Sequence, residues 1–243
     1  MRALILNGAL APDPLLDDLA ARLTSDFVAR KYAVETVLLR DVPVAYCQGC
    51  FECWTHTPGT CKIDDAGRDL SRDFSMSDVV VFLTPVQFGS YSSETKKMLD
   101  RTLGTLLPFF RRIDGEVHHS PRYAYPPSLG VVAVMNSPEP ASEATVRTLA
   151  LRNAINFAAP AHHVAVIDRR GSAAQALGAC DALVSTLTAP VRRGDVPHID
   201  NVDSLLPTLP VAADGAPPKR ARCSSSAVPR RAARARRRHS VRS

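Results

Sequence analysis

The chain has 243 residues, of which 45% are hydrophobic and 22% charged, proportions that are typical of globular proteins and exclude a fibrous or mostly disordered one. Its net charge of +6 is unevenly placed, because residues 211–243 contain ten Lys or Arg against the single acid Asp214, which leaves residues 1–210 with a net charge of −3. No apolar run approaches the roughly 18 residues of a membrane span and the first residues lack a signal-peptide pattern, so we expect a cytoplasmic protein that binds no membrane.

Short apolar segments alternate with segments of helical periodicity along residues 1–190. Strands are predicted at residues 2–6, 34–39, 79–83, 129–135 and 164–167. Helices are predicted from Pro14, with Asp13 as the N-cap, and at residues 92–105, 141–157 and 172–187. Strands that alternate with helices at this spacing form βαβ units. The sequence therefore predicts an α/β fold, a three-layer, doubly wound domain with a parallel five-stranded sheet.

The composition changes after this domain. Residues 191–210 are interpreted as an extension, and residues 211–243 as a basic tail rich in Ala, Pro, Arg and Ser. A segment without apolar periodicity buries too little surface to offset its ordering entropy, so the tail is predicted to be disordered. Its arginines would contact nucleic acid or another polyanion only non-specifically, and no specific nucleic-acid partner is predicted.

Four of the six cysteines lie in one loop, residues 47–61. Cys47, Cys50, Cys53 and Cys61 follow the pattern C-x2-C-x2-C-x7-C. Thiols at x2 spacing can converge in a tight turn, and a [4Fe–4S] cluster takes four thiolates, several of them from a compact run. Zinc and a redox disulfide are alternatives, and so is the packing of one or two of these cysteines as small apolar residues without a metal.

The other cysteines, and the histidines in and after the cysteine loop, are not expected to bind a metal or a cofactor. Cys180 falls in the last predicted helix and is expected in the core, whereas Cys223 is a thiol of the tail. His56 is expected to be a solvated side chain. Residues 118–123, between the helix at residues 92–105 and the fourth strand, are expected to form part of a long surface loop.

Three loops are predicted at the carboxyl edge of the sheet, where open α/β folds bind their ligands. They are residues 7–13 after the first strand, residues 84–92 after the third, and Asn136-Ser137 after the fourth. The cysteine loop follows the second strand. It is therefore predicted at the same edge, close enough to a ligand in the crevice for electron transfer.

The motifs in these loops resemble those of the NADPH-dependent FMN reductase family, and within it the iron–sulfur flavoprotein branch. The resemblance is strong over residues 1–105, weaker to residue 190 and absent in the tail. The motifs are Leu-Ile-Leu-Asn-Gly at residues 4–8, Cys-x-Gly-Cys-Phe-x-Cys-Trp-x-x-Thr-Pro-Gly-x-Cys at residues 47–61 with Asp64-Asp65 after it, Thr-Pro-Val-x-Phe-Gly-x-x-Ser at residues 84–92, and Lys97-Met-Leu-Asp100-Arg101.

The resemblance implies a flavodoxin-like fold, a bound FMN and a homo-oligomer, either a dimer or a tetramer. The residues that would bind FMN are Asn7, Gly8, Ala9, Leu10, Thr84, Pro85, Val86, Gln87, Phe88, Gly89, Asn136 and Ser137. The residues that would hold a [4Fe–4S] cluster are Cys47, Cys50, Cys53 and Cys61. Independently of the family, Gly89 would let the main chain approach a flat ring and Phe88 could pack against it, whereas the alternative for this segment is an ordinary strand-to-helix turn.

The phosphate loop departs from the family's pattern. Ser, then Arg, then Asn-Thr usually lead into the first helix, whose free N–H groups hold the phosphate, whereas residues 9–12 here are Ala-Leu-Ala-Pro. As N-cap, Asp13 would occupy one helical N–H and place a negative charge where phosphate should lie. We therefore expect either weakened FMN binding or a shifted phosphate site built from the backbone N–H groups of residues 8–11.

The function predicted on this basis is that of an FMN-dependent oxidoreductase or electron-transfer flavoprotein. NAD(P)H or ferredoxin would donate electrons, the cluster would serve as a one-electron relay, and a small molecule would accept them. NAD(P)H enters only through the resemblance, and no side chain is predicted to act as nucleophile or general base. The alternative is a non-catalytic module with a flavodoxin-like fold, zinc-stabilised or redox-sensing, that binds FMN weakly or not at all.

Overall fold

The computed structural model describes residues 1–190, so the predicted extension at residues 191–210 and the tail at residues 211–243 lie outside the described part. The strands are β1 (Arg2–Asn7), β2 (Ala33–Leu38), β3 (Val79–Pro85), β4 (Leu106–Ile113), β5 (Glu116–Pro121), β6 (Ser128–Met135) and β7 (His162–Asp168). The helices are α1 (Pro14–Ala29), α2 (Glu52–Thr55), α3 (Ala66–Met76), α4 (Ser93–Arg101), α5 (Pro140–Asn156) and α6 (Ala173–Thr188). Within residues 1–190, no helix combines the length and the apolarity needed to cross a lipid bilayer.

The main sheet has five parallel strands in the order β2-β1-β3-β6-β7. The chain starts in the middle of the sheet, adds β2 on one side of β1, and then crosses to add β3 on the other side. The strand order therefore reverses between β1 and β3. This arrangement confirms the predicted doubly wound α/β fold.

The two faces of the sheet are covered by different helices. Along β3, Val81 and Leu83 point to the face that is covered by α1 and α6, whereas Val80 and Phe82 point to the face that is covered by α3, α4 and α5. All four side chains are buried. A strand enclosed on both faces needs apolar residues at every position, which explains why the Val-Val-Val-Phe-Leu run was recognisable as a strand.

A second, two-stranded sheet corrects the prediction of a long surface loop at residues 118–123. Strands β4 and β5 pair antiparallel, with Arg111 opposite His118. Asp114 and Gly115 connect them, both with positive φ, of 48° and 83°. An Asp-Gly pair between two strands favours a tight hairpin turn, so the sequence contained a hairpin signal that the prediction missed.

The boundaries of several elements also differ from the prediction. Helix α3 was not predicted, because its charged sequence carries only a narrow apolar stripe, of which Leu70 and Phe74 are buried. The helix predicted at residues 92–105 ends at Arg101 and continues as a 3-10 turn, Thr102–Thr105. The N-terminus of α1 is as predicted, with Asp13 as N-cap and Pro14 as the first helical residue.

Arg111 fastens the hairpin to the main sheet's helical layer. Its guanidinium is buried, and it donates hydrogen bonds to the carbonyl oxygens of His119 on β5 and of Ile155 and Asn156 on α5. Burial lowers the pKa of Arg111. Because these acceptors are backbone carbonyls, the arginine positions the hairpin without a carboxylate partner among the residues described.

Candidate functional site

The loops that follow β1, β3 and β6 meet at the carboxyl edge of the sheet. Asn7 at the end of β1 lies beside Leu83 of β3, and Pro85 at the end of β3 lies beside Val134 of β6. Strands β1 and β3 flank the position at which the strand order reverses, which is where open α/β sheets bind their ligands. We refer to residues 8–13, 86–92 and 136–139 as the first, second and third loop.

The first loop is held close to the second by direct contacts. The Oδ1 atom of Asn7 accepts a hydrogen bond of 3.0 Å from the N–H of Ala9, and the Oγ of Ser92 donates one of 2.7 Å to the carbonyl oxygen of Gly8. A Cβ on Gly8 would lie 1.9 Å from the Oγ1 of Thr95. Only glycine therefore allows the first loop to pack this closely on the start of α4.

The first loop also presents backbone donors at the N-terminus of α1. No group among residues 1–190 accepts a hydrogen bond from the N–H of Leu10 or of Ala11. The Oδ1 of Asp13 accepts from the N–H of Leu16 at 3.4 Å, as the predicted N-cap does. The free N–H groups and the positive end of this 16-residue helix suit an anion.

The negative charge of Asp13 is matched by a residue that the sequence reasoning missed. The guanidinium of Arg169, directly after β7, forms two hydrogen bonds with the carboxylate of Asp13, of 3.0 and 2.5 Å. The hydrogen bond from Arg169 holds the pKa of Asp13 below its usual value. Asp13 therefore does not present an uncompensated charge to the loop, contrary to the expectation from the sequence.

The second loop contains a tight turn that exposes an aromatic ring. Gln87 and Ser90 exchange backbone hydrogen bonds of 3.0 and 2.9 Å, and between them Phe88 and Gly89 both have positive φ, of 51° and 71°. This conformation is unfavourable for a bulky residue such as phenylalanine. The side chain of Phe88 is fully exposed, so it packs against nothing within the described chain and is presented at the edge of the sheet.

The residues on either side of this turn are rigidly placed. The Oγ1 of Thr84 is buried and accepts a hydrogen bond of 3.0 Å from the N–H of Ser92. The N–H of Val86 donates to the carbonyl oxygen of Val134 at 2.8 Å, which continues the pairing of β3 with β6 by one residue. Thr84 and Val86 are therefore held in fixed positions at the carboxyl edge of the sheet.

The third loop is more open. Asn136 and Ser137 are exposed, and the Oγ of Ser137 accepts a hydrogen bond of 2.7 Å from Arg170. Arg170 thus connects the third loop to the end of β7, and its neighbour Arg169 connects the first loop to the same strand end. The signal for them was the Arg-Arg-Gly run that begins two residues after the last predicted strand, which places both residues at the carboxyl edge.

The cysteine loop lies after β2, as predicted, but its four thiols differ in environment. Cys53 is buried at the start of α2, Cys50 is exposed, and Cys47 and Cys61 are half-buried. Burial raises the pKa of the Cys53 thiol, and the other three thiols of the loop add to this effect. The four thiols therefore differ in their exposure to solvent.

The predicted iron–sulfur ligands do not form a ligand set in the described residues. Across residues 1–190, no three His, Cys, Asp or Glu side chains are placed so that they could hold a metal ion. The arrangement supports neither the [4Fe–4S] interpretation nor the zinc interpretation, and we derive no chemistry through either. Cys180 is buried in α6, as expected, and burial raises its pKa to about 11. Cys223 lies outside the described residues.

Aromatic rings connect the cysteine loop to the hairpin. Phe51 stacks on Trp54 with ring centroids 5.0 Å apart, Trp54 contacts His119 at 4.9 Å, and His119 contacts Phe110 at 4.7 Å. His56 is exposed, as expected. The row of four rings could not be anticipated, because it depends on the hairpin that the sequence reasoning missed.

Asp65 and Arg101, an acidic and a basic residue of the family motifs, form a buried ion pair. The guanidinium of Arg101 donates to both carboxylate oxygens of Asp65, at 2.6 and 2.7 Å, and to the carbonyl oxygen of Ala45 at 2.9 Å. The side chain of Arg101 has no exposed surface. This pair fastens the two ends of the cysteine loop to the end of α4, so its role is structural.

The exposure of the four thiols predicts the order in which they are alkylated. In the full-length protein at neutral pH we expect iodoacetamide to modify Cys50 first and Cys53 last, because Cys53 is buried and its pKa is raised. Mass spectrometry of a time course measures the order. Equal and complete protection of all four thiols, lost on adding an iron chelator, would contradict the arrangement described here.

Comparison with known proteins agrees with the fold. The model of the NADPH-dependent FMN reductase family matches residues 1–121, about half of the chain. No curated protein matches the sequence. Solved structures with the same fold include RosB with a bound 8-demethyl-8-formylriboflavin-5'-phosphate intermediate, which is 15% identical and has a TM-score of 0.58 over 95% of each chain.

Two further structures are similar over most of their own length. The NAD(P)H:quinone oxidoreductase from Methanothermobacter marburgensis is 11% identical, with a TM-score of 0.55 over 75% of this chain and 92% of that one. The azoreductase from Bacillus anthracis str. Sterne is 12% identical, with a TM-score of 0.55 over 76% of this chain and 97% of that one. At these identities the likeness establishes the flavodoxin-like fold. Through residues 1–121, the chain belongs to the NADPH-dependent FMN reductase family, which comprises NAD(P)H-dependent flavin oxidoreductases.

Proposed function

We propose that the protein binds FMN across the first, second and third loops and catalyses the transfer of electrons from NAD(P)H through this flavin to a small organic acceptor. One observation carries the proposal: free backbone donors at the N-terminus of α1 lie directly beside the rigid, aromatic second loop at the point where the strand order reverses. FMN has the matching parts, a phosphate and a flat ring.

The first loop fits the phosphate. The N–H groups of Leu10 and Ala11 would donate to its oxygens, and the positive end of α1 would favour its charge. Arg169 neutralises Asp13, which removes the repulsion that the sequence suggested. These contacts support the shifted, backbone-built phosphate site, for which the Ser, Arg and Asn-Thr of the family's pattern would not be needed.

The second and third loops fit the ring. Apart from Phe88, the segment from Thr84 to Gly89 would line one side of the isoalloxazine with its main chain. Asn136 and Ser137 would border the opposite side. The exposed Phe88 would cover the ring from the turn, which gives a reason for holding a phenylalanine in an unfavourable backbone conformation.

In this mechanism the flavin, when bound, supplies the redox chemistry by accepting a hydride and passing electrons on. The chain's own residues bind and orient it. The bonds from Ser92 to Gly8 and to Thr84 keep the phosphate and ring subsites at a fixed separation. Phe88 would exclude water from the ring. No side chain is assigned a proton transfer.

The proposed donor is NAD(P)H rather than ferredoxin, because the family is defined by its dependence on NADPH. No electrons are routed through the cysteine loop, since its thiols do not form a ligand set within residues 1–190. For the acceptor we propose a quinone or an azo compound, by analogy with the quinone oxidoreductase and the azoreductase that share the fold. We further propose that residues 1–190 form the flavin-binding domain of a cytoplasmic protein.

We also propose that the protein is a homo-oligomer, a dimer or tetramer. Several large apolar side chains near the candidate site and on the hairpin are exposed, and exposed apolar patches mark surfaces of protein–protein contact. They are Tyr46, Phe51, Phe88, Phe109, Phe110 and Val117. Sedimentation of the full-length protein as a monomer at micromolar concentration would contradict this proposal.

The proposed function is tested with the full-length protein and added FMN. We expect the protein to quench the fluorescence of FMN at a one-to-one ratio, and the loaded protein, in the absence of oxygen, to oxidise more than one equivalent of NADPH at 340 nm only when a quinone or an azo dye is present. Riboflavin, which lacks the phosphate, is the matched control and should bind at least about tenfold more weakly. Failure to bind FMN would instead favour the non-catalytic module.

A further inference from the structure

Strand β2 is the last strand on one side of the main sheet, and its outer side is unpaired within residues 1–190. The N–H of Ala33 donates to the carbonyl oxygen of Met1 at 2.9 Å, so the backbone groups of Ala33 point toward β1. Because these groups alternate in direction along a strand, those of Val34 and Thr36 point outward. No group among residues 1–190 forms a hydrogen bond with them. This edge is therefore open to another strand.

The opposite edge of the sheet is protected, whereas the β2 edge is not. On β7, the guanidinium of Arg147 donates to the carbonyl oxygen of Val164 at 2.9 Å and so covers a backbone acceptor. Edge strands are commonly protected by such a cover, by proline, by lysine or by a bulge. Strand β2 reads Ala-Val-Glu-Thr-Val-Leu and pairs with β1 without interruption, so it has none of these. Its single charge, on Glu35, is held by Arg2 at 3.4 Å.

A groove of about 530 Å³ runs beside this edge, between β2 and α1. On the α1 side, the lining residues that follow Asp17 are Ala20, Ala21, Thr24, Ser25 and Val28. All five are short or neutral, and Val28 is 54% exposed. No long charged side chain of the lining would therefore keep a second helix from lying alongside α1.

The sequence of β2 selects the way in which two copies of it can pair. Two identical strands related by a two-fold axis run antiparallel. Only an axis at Glu35 or at Thr36 pairs nearly the whole strand. An axis at Glu35 places two carboxylates directly opposite each other, which is unfavourable. An axis at Thr36 pairs the two threonines, places Val34 opposite Leu38 and Glu35 opposite Val37, and opposes no like charges.

The register centred on Thr36 also satisfies the polar groups at the axis. The two Thr36 residues would exchange backbone hydrogen bonds, and the N–H of Leu38 would donate to the carbonyl oxygen of Val34 in the second copy. The Oγ1 of Thr36 lies 3.0 Å from that of Thr24, which itself donates to the carbonyl oxygen of Ala20 at 2.8 Å. These hydroxyls therefore keep partners when the interface excludes water.

The two ends of the β2 edge differ in charge. Lys31 is exposed just before β2, whereas the exposed Asp41 follows β2 and the exposed Asp17 lies near the start of α1, at that same end. Asp41 has a weak partner of its own, the Nε of Arg40 at 3.7 Å. Two-fold pairing brings the start of one β2 beside the end of the other. Lys31 thus approaches the acidic end of the second copy, which favours the antiparallel arrangement.

We propose that β2 and α1 form a two-fold interface with a second copy of this chain, in which the β2 strands pair antiparallel about Thr36 and the two main sheets become one continuous sheet. This inference rests on the homo-oligomer proposed above and names one of its interfaces. It does not depend on whether the protein binds FMN.

Proline at position 36 tests the backbone pairing. Thr36→Pro removes an N–H that points outward, so the pairing of β2 with β1 is kept, and edge strands tolerate proline at such positions. Sedimentation velocity of the full-length protein at micromolar concentration should show association at least about tenfold weaker than in the wild type. Thr36→Val, which keeps the N–H and the β-branched shape, is the matched control and should associate as the wild type does. Circular dichroism shows whether each variant is folded.

Cysteine substitution tests the register separately. In Thr36→Cys the two new residues lie opposite each other with Cα atoms about 5.5 Å apart, within the range of a disulfide. We therefore expect a covalent dimer on a non-reducing gel after oxidation with diamide. Ala33→Cys is the control, because the two copies of residue 33 would be roughly 20 Å apart. It should form no more covalent dimer than the wild type, whose native cysteines set the background.

Any one of three results would overturn the proposal. They are a wild type that sediments as a monomer, a folded Thr36→Pro that associates as tightly as the wild type, and a Thr36→Cys that forms no more covalent dimer than Ala33→Cys. An oligomer that survives Thr36→Pro would use another surface and leave the homo-oligomer proposed above intact, whereas a monomeric wild type contradicts both. Failure to bind FMN would change none of these measurements.

Discussion

Replacing Arg101 with methionine is expected to lower the free energy of unfolding by about 3–5 kcal/mol, the usual cost of breaking a buried ion pair by removing one partner. The side chain of Asp65 is only 13% exposed, and without Arg101 its carboxylate would stay buried and uncompensated. The loss also releases the carbonyl oxygens of Ala45 and Ile63. Urea unfolding of the full-length variant and wild type, followed by circular dichroism, measures the difference.

Two variants show whether burial is the reason. Lys96→Met breaks the exposed pair with Asp100 on the same helix and should cost less than about 1 kcal/mol. Adding Asp65→Asn to Arg101→Met removes the stranded charge while keeping an N-cap for α3, so the double variant should regain at least about 1 kcal/mol. Equal costs for Arg101→Met and Lys96→Met would refute the assignment.

The pH dependence of stability gives an independent measure of the same pair. Burial tends to raise the pKa of Asp65, but hydrogen bonds from Arg101 and from the N–H of Ala45 outweigh it and hold the pKa below its usual 3.8. A depressed carboxylate pKa stabilises the fold above the unfolded-state pKa, and this stabilisation is lost as the pH falls through the folded-state pKa. The wild type should therefore lose stability below about pH 4 more steeply than Arg101→Met does.

Replacing Arg169 with methionine is expected to weaken FMN binding at least about tenfold. Arg169 is the charge partner of Asp13, and both lie at the N-terminus of α1, where the phosphate is proposed to bind. Without Arg169, the carboxylate of Asp13 would repel the phosphate dianion across a short distance. Fluorescence titration of FMN into the full-length variants gives the affinities.

Matched variants separate repulsion from a general loss of structure. Asp13→Asn combined with Arg169→Met removes both charges, keeps a good N-cap and should restore most of the affinity. Arg170→Met changes the adjacent, more exposed arginine, which binds Ser137 and Asp168, and should have a small effect. If Arg169→Met binds FMN as tightly as the wild type, the phosphate does not lie at the first loop.

Much of the candidate site could be predicted because its elements are local in sequence. The end of β1 at Asn7-Gly8 and the Asp13-Pro14 start of α1 follow from short runs with strong preferences. The second loop was recognisable from the Thr-Pro-Val-x-Phe-Gly motif after the most apolar strand. Because each of these loops follows a parallel strand, all of them lie at the carboxyl edge of the sheet. This conclusion does not require knowledge of side-chain packing.

The parts that could not be predicted depend on partners that are distant in the chain. Asp13 was expected to repel a phosphate. Its charge is instead neutralised by Arg169, which lies 156 residues further along the chain. The spacing of the four cysteines suggested that they share a metal, but spacing does not determine how deeply each thiol is buried, which depends on how the loop packs against the hairpin. The hairpin itself was missed, although Asp114-Gly115 signalled it, because its strands are only partly apolar.

The sequence by itself determined the layered α/β fold, the membership of residues 1–121 in a flavin reductase family and the edge of the sheet at which the proposed site lies, because periodicity, strand order and short motifs are properties of neighbouring residues. Only the tertiary structure decided how charges are paired and which of the four thiols are buried and which exposed. Those features arise where segments far apart in the chain pack together, and the energies of such contacts depend on distance and burial, which a linear pattern does not contain.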